Sequence, residues 1–199
     1  MGLGLGAVTG LVGGCLTAGW MRRQGAAMPA WASALTLAAL LGLLGARWGL
    51  VARLGPVLVL GGCLWTAAII DAWTFRIPNP IVLAIAAAAT VERLAGIGLG
   101  GAVPAALAAL TAGAGFWMLS RVTRGGFGLG DAKLACALVW ALGWRAGFLA
   151  LVLTVLAGGV GAALLVVTRR RGLGAPLPYA PFFLLGGVLA LWLAAPHPG

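Results

Sequence analysis

Acidic residues are almost missing from this 199-residue chain: Asp71, Glu92 and Asp131 are the only three, against thirteen lysines and arginines, and 8% of positions are charged. That scarcity excludes a water-soluble surface, since soluble domains carry roughly 25% charge. Cysteine is sparse as well. Cys15, Cys63 and Cys136 fall in three separate apolar stretches with no paired spacing, so neither a disulfide framework nor a zinc site is indicated, and they read as small packing residues. No metal and no cofactor are expected. There is no basic patch interleaved with aromatics on a polar surface, so the net charge of +10 does not point to nucleic acid. Soluble domains, long linkers and internal repeats are lacking too.

What remains is 62% hydrophobic, with a mean hydropathy of +1.10. The apolar runs near 2–20, 29–46, 54–71, 80–95, 98–120, 132–144, 146–168 and 178–195 are divided by short arginine-bearing breaks. A membrane helix takes about 20 apolar residues, so the chain reads as an all-α polytopic membrane protein with about eight spans, in a range of seven to nine. The fourth and sixth runs are short. Gly6-x-x-x-Gly10 and Gly10-x-x-x-Gly14 suit close approach between spans. The first span has no basic residue before it and Arg22 and Arg23 after it, the reverse of a secretory signal, and is expected to be retained.

Eight alternating spans sort the basic residues into two sets. Arg22, Arg23, Arg76, Arg121, Arg124, Lys133, Arg169, Arg170 and Arg171 fall on one side; Arg47, Arg53, Arg93 and Arg145 fall on the other. The richer side is expected to be cytoplasmic, with both termini external and the basic ends of the spans meeting lipid phosphates. Asp71 and Asp131 then share the cytoplasmic side, while Glu92 lies on the opposite side beside Arg93, as an interfacial ion pair or a solvated loop residue.

Carboxylates at the edge of a membrane span are expensive and are functional candidates by default. Taken singly, each aspartate can be read as a helix cap. Two on one face suggest a dyad that shares a proton, one member activating water and the other donating to a peptide carbonyl. Gly125, Gly126, Gly128 and Gly130 precede Asp131 and leave the backbone bare and free to take positive φ, so that an extended substrate can come close. Lys133 lies on a different helix face from Asp131, and lipid phosphate is its default contact. Pro78 and Pro80 bracket Asn79, which ends one helix and starts the next in a stiff turn.

Asp71 with "RIPN" at 76–79, "GLGDAKL" at 128–134, "LGW" at 142–144 and "PYAPF" at 178–182 together resemble the bacterial type IV prepilin peptidases, membrane aspartyl proteases of the G-x-G-D type. The resemblance covers roughly residues 54–195, which would be the peptidase-like core of a single membrane domain 1–199, with 1–53 as divergent N-terminal spans. It implies that Asp71 and Asp131 are catalytic; Gly128, Gly130, Lys133, Pro78 and Asn79 are the candidate supporting loop, and Pro178 and Pro181 either line a substrate channel or end a loop. The implied activity is cleavage, after a glycine, of the basic leader of prepilins or pseudopilins at the cytoplasmic face of the bacterial inner membrane. Many members carry two C-x-x-C pairs and a methyltransferase activity in a large loop after the first span, where this chain has only about residues 21–28, so methylation is not expected. Three other readings compete: a signal-peptide-peptidase-like protease, an ion-coupled transporter with the aspartates as cation sites, and a non-catalytic assembly subunit.

Overall fold

A computed structural model describes residues 2–26, 28–48, 54–96, 98–123, 128–168 and 177–194. Seven helices follow in order: α1 (Gly2–Arg23), α2 (Ala30–Trp48), α3 (Leu54–Thr74), α4 (Asn79–Gly96), α5 (Gly98–Val122), α6 (Leu129–Val167) and α7 (Ala180–Ala194). There is no strand among the described residues. Six of the helices are long and apolar enough to cross a membrane, and α7 is a shorter apolar helix.

The 39 residues of α6 would make a rod of about 58 Å if straight, nearly twice the hydrocarbon thickness of a bilayer. They do not run straight. Gly143 has φ 81° and ψ 173°, a conformation that favours glycine, and the chain reverses there. A methyl group on Gly147 would lie 2.8 Å from Cα of Val139, whereas in one continuous helix those positions are two turns apart. So α6 is a hairpin with a first arm, 129–142, and a second arm, 144–167. With five helices before it and α7 after it, the described residues form eight apolar helical segments, of which the sixth, 129–142, is short.

Glycine decides how the passes meet. Lipid chains are as apolar as leucine, so helices in a bilayer associate through close packing and interhelical hydrogen bonds. A Cβ on Gly6, Gly10 or Gly14 would strike the backbone of Leu41, Ala38 or Ala34, so this glycine ladder seats α1 directly on α2. The Ser33 hydroxyl donates to the Gly14 carbonyl across that seam at 2.9 Å. Leu44 of α2 packs onto Gly61 of α3, and Leu64 of α3 and Leu138 of α6 pack onto Gly187 of α7. Phe183 of α7 and Phe116 of α5 stack at 5.4 Å, near the centre of the buried cluster.

Cysteine packing is divided: Cys63 and Cys136 are half-buried between helices, but Cys15 is exposed on the outer side of α1, where the glycine face has claimed the α2 contact. Among the described residues no group of three His, Cys, Asp or Glu is placed to hold a metal ion.

At the hairpin end, Arg93 turns inward from the last turn of α4. It is only 8% exposed, its Nε donates to the Trp140 carbonyl at 2.7 Å, and its guanidinium lies 5.0 Å from the centre of the Trp140 ring. Trp140 in turn donates from Nε1 to the Thr90 hydroxyl at 3.0 Å. Carbonyls at the end of a helix have no partner within it, and Arg93 satisfies one where the first arm of α6 stops.

Candidate active site

Three chain segments converge at the opposite end of the bundle. The first is the close of α3. Asp71 lies in its last turn and is 4% exposed; the Phe75 amide hydrogen-bonds back to the Asp71 carbonyl at 2.8 Å, and Phe75 takes φ 54°, a left-handed turn that stops the helix. Ile77 and Pro78 then run without regular structure to Asn79, where α4 begins. The two prolines act as their chemistry requires: Pro78 follows the end of one helix, and Pro80 fills the first turn of the next, where its missing N–H costs nothing.

The second segment is the start of α6. Gly128 is extended at φ −82°, ψ 157°, and Asp131 sits three residues on, 7% exposed. The Gly128 N–H donates to Asp131 Oδ2 at 2.8 Å. One oxygen of Asp131 therefore does cap its own helix, while the rest of the side chain faces the buried side of α6 with Leu134, Ala135 and Leu138.

Two contacts tie these segments together. A Cβ on Gly130 would lie 3.2 Å from Cβ of Ile77, and Lys133 Nζ donates to Asn79 Oδ1 at 3.1 Å. This corrects one expectation. Neither Gly128 nor Gly130 takes a positive φ, and Gly130 is not bare for an incoming chain: its lack of a side chain lets the α3–α4 turn close onto α6. Lys133 reaches Asn79 because the turn brings that amide within range. Gly125 and Gly126 lie outside the described residues.

The third segment is the start of α7, and its part was not readable in the sequence. Pro178 precedes Tyr179, whose carbonyl accepts the first bonds of α7 from Phe182 at 3.0 Å and Phe183 at 3.2 Å. Pro181 in the first turn has no N–H to offer. The free donors at this helix start are the N–H groups of Tyr179 and Ala180, and both go to Asp71, with Ala180 N to Oδ2 at 2.9 Å. A carboxylate from α3 thus caps α7, a favourable place for negative charge. The phenol of Tyr179 rests on Gly158 in the second arm of α6 and lies within electrostatic reach of Asp131. Burial, and then the Asp131 charge, push that phenol above its ordinary value. Only its place between two prolines marked Tyr179, the single tyrosine of the chain.

Asp71 and Asp131 are therefore brought to one buried place from positions sixty residues apart, close enough that the charge of one acts on the other. Pro178 and Pro181 shape the α7 start that holds Asp71.

Residues 58–163, which include both aspartates, match the model of the type IV leader peptidase family. A prepilin leader peptidase/N-methyltransferase of Bacillus subtilis (strain 168) is 32% identical over 170 residues, or 80% of this chain and 64% of the relative. One from Aeromonas salmonicida (strain A449) is 30% identical over 152 residues, covering 72% of this chain and 50% of the relative. One from Pseudomonas aeruginosa is 28% identical over 165 residues, covering 79% and 56%. The chain spans from half to just under two thirds of the length of these relatives. No solved structure matches it.

Proposed function

Because the chain belongs to the type IV leader peptidase family, we propose that it is an aspartic endopeptidase in which Asp71 and Asp131 cut the leader from prepilins or pseudopilins at the cytoplasmic face of the bacterial inner membrane. The observation that carries this reading is that two buried carboxylates from separate helices lie at one end of the bundle within electrostatic reach of each other, Asp71 on the start of α7 and Asp131 on the start of α6. A close carboxylate pair holds one proton between its members. The ionised member takes a proton from water as the oxygen attacks the peptide carbonyl, and the protonated member gives its proton to the carbonyl oxygen. When the tetrahedral intermediate collapses, the C–N bond breaks and the leaving nitrogen takes a proton from the pair. Residues 54–195 form the peptidase core in this reading, with α1 and α2 as an added pair of spans joined to it through Gly61.

Lys133 and Asn79, with the Gly130–Ile77 contact, hold the α3–α4 turn against α6 and so fix the separation of the two carboxylates. The described basic residues suit a cytoplasmic site: Arg22, Arg23, Arg76, Arg121 and Lys133 lie at its end of the bundle, against Arg47, Arg93 and Arg145 at the other. Outward-facing apolar side chains such as Leu16, Leu107 and Leu156 meet lipid.

Asparagine keeps the shape of aspartate but neither accepts nor releases a proton near neutral pH. Asp71→Asn and Asp131→Asn should each reach the membrane at parental levels and lose about 10²–10⁴-fold in cleavage of a prepilin-type substrate. The double variant should be no worse than either, since the two act as a unit. Glu92→Gln, at the other end of the bundle, should keep activity. Cleavage by Asp131→Asn near the parental rate would refute the reading and leave a transporter or a non-catalytic subunit in front.

A further inference from the structure

Beside the candidate site the bundle is not closed. α4 and α5 both pack on the first arm of α6 but splay from each other, leaving a groove of about 1060 Å³ between them, open to the outside. Its floor is one stripe of α6 that includes Leu129, Ala132, Cys136 and Trp140; Val82 and Ala86 of α4 form one wall, and Ala109, Gly113 and Trp117 of α5 the other. The lining is apolar except for Asn79 and Lys133 at the end nearest Asp131. Small residues dominate the floor and walls, which is what allows an apolar helix to approach closely in a bilayer. The floor runs from 129 to 140, about 17 Å or three turns.

We propose that this groove is where the apolar helix of the substrate lies during cleavage. The inference rests on the peptidase reading above and adds a place to it. A substrate cut at the boundary between a basic leader and an apolar helix must present that boundary to the aspartates while its helix stays in the membrane, so the helix has to lie in a channel that starts at the site and runs away from it. The α4–α5 groove begins at that level of the bundle, one helix width from the carboxylate: Leu129, Ala132 and Lys133 are in the same first turns of α6 as Asp131, on the opposite face. The cavity among α1, α2, α3 and α4, which Cys63 lines, is about 360 Å³, a third of the size, and none of its lining residues comes from α6.

The geometry also fixes a register. With about 100° per residue, the groove stripe is on the face of α6 away from Asp131, so the substrate chain passes over the exposed Gly128 end of the helix to reach the carboxylate. Crossing a helix about 10 Å wide takes about three extended residues. Cys136 lies about 7.5 Å below Asp131 along α6, or about five helical residues. The substrate position beside Cys136 is therefore about the eighth after the cut.

The three cysteines make this testable in the full chain: Cys136 is in the groove, Cys63 in the smaller cavity and Cys15 on the outer side of α1. Three single-cysteine forms, with the other cysteines changed to Ala, would be placed in phosphatidylethanolamine/phosphatidylglycerol nanodiscs. Each would meet a synthetic single-span peptide with a basic leader ending in glycine, an apolar helix, and one cysteine moved along that helix. Cleavage and disulfide formation are scored in parallel. The expected result is cleavage by all three forms, with cross-linking at Cys136 only, highest about eight residues after the cut and recurring with helical period. Ala86→Phe, which fills the groove from α4, should lower both the cross-link and kcat/KM at least about tenfold, chiefly through KM. Cleavage with cross-linking at Cys63, with none at either cysteine, or with Cys136 bridging two copies of this chain, would overturn the groove and leave the peptidase reading standing. Cross-linking at Cys136 without cleavage would keep the groove and sink the peptidase reading, and neither signal would sink both.

Discussion

Gly158 touches neither aspartate, yet a single methyl group there should cost most of the activity. A Cβ on Gly158 would overlap the Tyr179 hydroxyl and lie 2.5 Å from Cζ and 2.9 Å from Cε2 of that ring. Carbon contacts settle at about 3.5–4.0 Å, so the ring has to move by about 1 Å. It has little freedom to swing aside, being 6% exposed with Phe182 and Phe183 at centroid distances of 5.5 Å and 6.1 Å. The shift passes to the Tyr179 backbone and to Ala180, whose N–H reaches Asp71 at 2.9 Å. Stretched by about 1 Å, that contact is no longer a hydrogen bond. Overpacking of this kind costs about 1–3 kcal/mol of stability, which a well-packed bundle survives, whereas a 1 Å displacement of a catalytic group costs about 10²-fold in rate. Gly158→Ala should therefore accumulate in the membrane and show a kcat/KM about 100-fold below the parent on a prepilin-type peptide. The neighbouring Gly159→Ala is the control, because nothing lies within 4 Å of its Cβ position. If Gly158→Ala cuts within about threefold of the parental rate, less than 1 kcal/mol in barrier, the start of α7 does not hold Asp71 for catalysis.

Two further outcomes follow from the same geometry. Tyr179 is the only tyrosine, so alkaline titration of phenolate absorbance reads it alone; its midpoint should lie above the ordinary value near 10 and fall in Asp131→Asn, since one of the two causes of the shift is then gone. A folded value raised above the unfolded one favours the folded chain below pH about 10 and loses that advantage as pH rises through the folded value, so an ordinary midpoint unmoved by Asp131→Asn would contradict the buried Tyr179–Asp131 neighbourhood. Reporter fusions near residues 76 and 124 should both read cytoplasmic and one near residue 47 external, and opposite sides for the first two would separate the aspartates and end the dyad.

Much of the site was legible because its two halves carry local signals. "RIPN" ends and restarts a helix through proline chemistry that needs no partner, and "GLGD" puts an acid in a first helical turn with bare backbone before it. Their meeting follows from alternating passes, which return the chain to one face whatever the details of packing. The purpose of the glycines was misread for a physical reason: a glycine that frees φ and a glycine that admits a neighbour look the same in sequence. Gly143 is the first kind, at φ 81°, and Gly130 the second, under Ile77. That Lys133 reaches Asn79 was not legible, since only the closed turn brings the two together.

By itself the sequence determined that the chain is a polytopic bundle of apolar helices and roughly where those helices fall, because partition into lipid sums a property of each residue over about twenty neighbours. Only the tertiary structure decided that Asp71 caps α7, that Arg93 closes the hairpin on the Trp140 carbonyl, and that α4 and α5 part across α6 from Asp131. Those choices depend on which of several equally apolar helix faces meet, and within a bilayer that is settled by shape and by a few polar atoms seeking partners across the bundle.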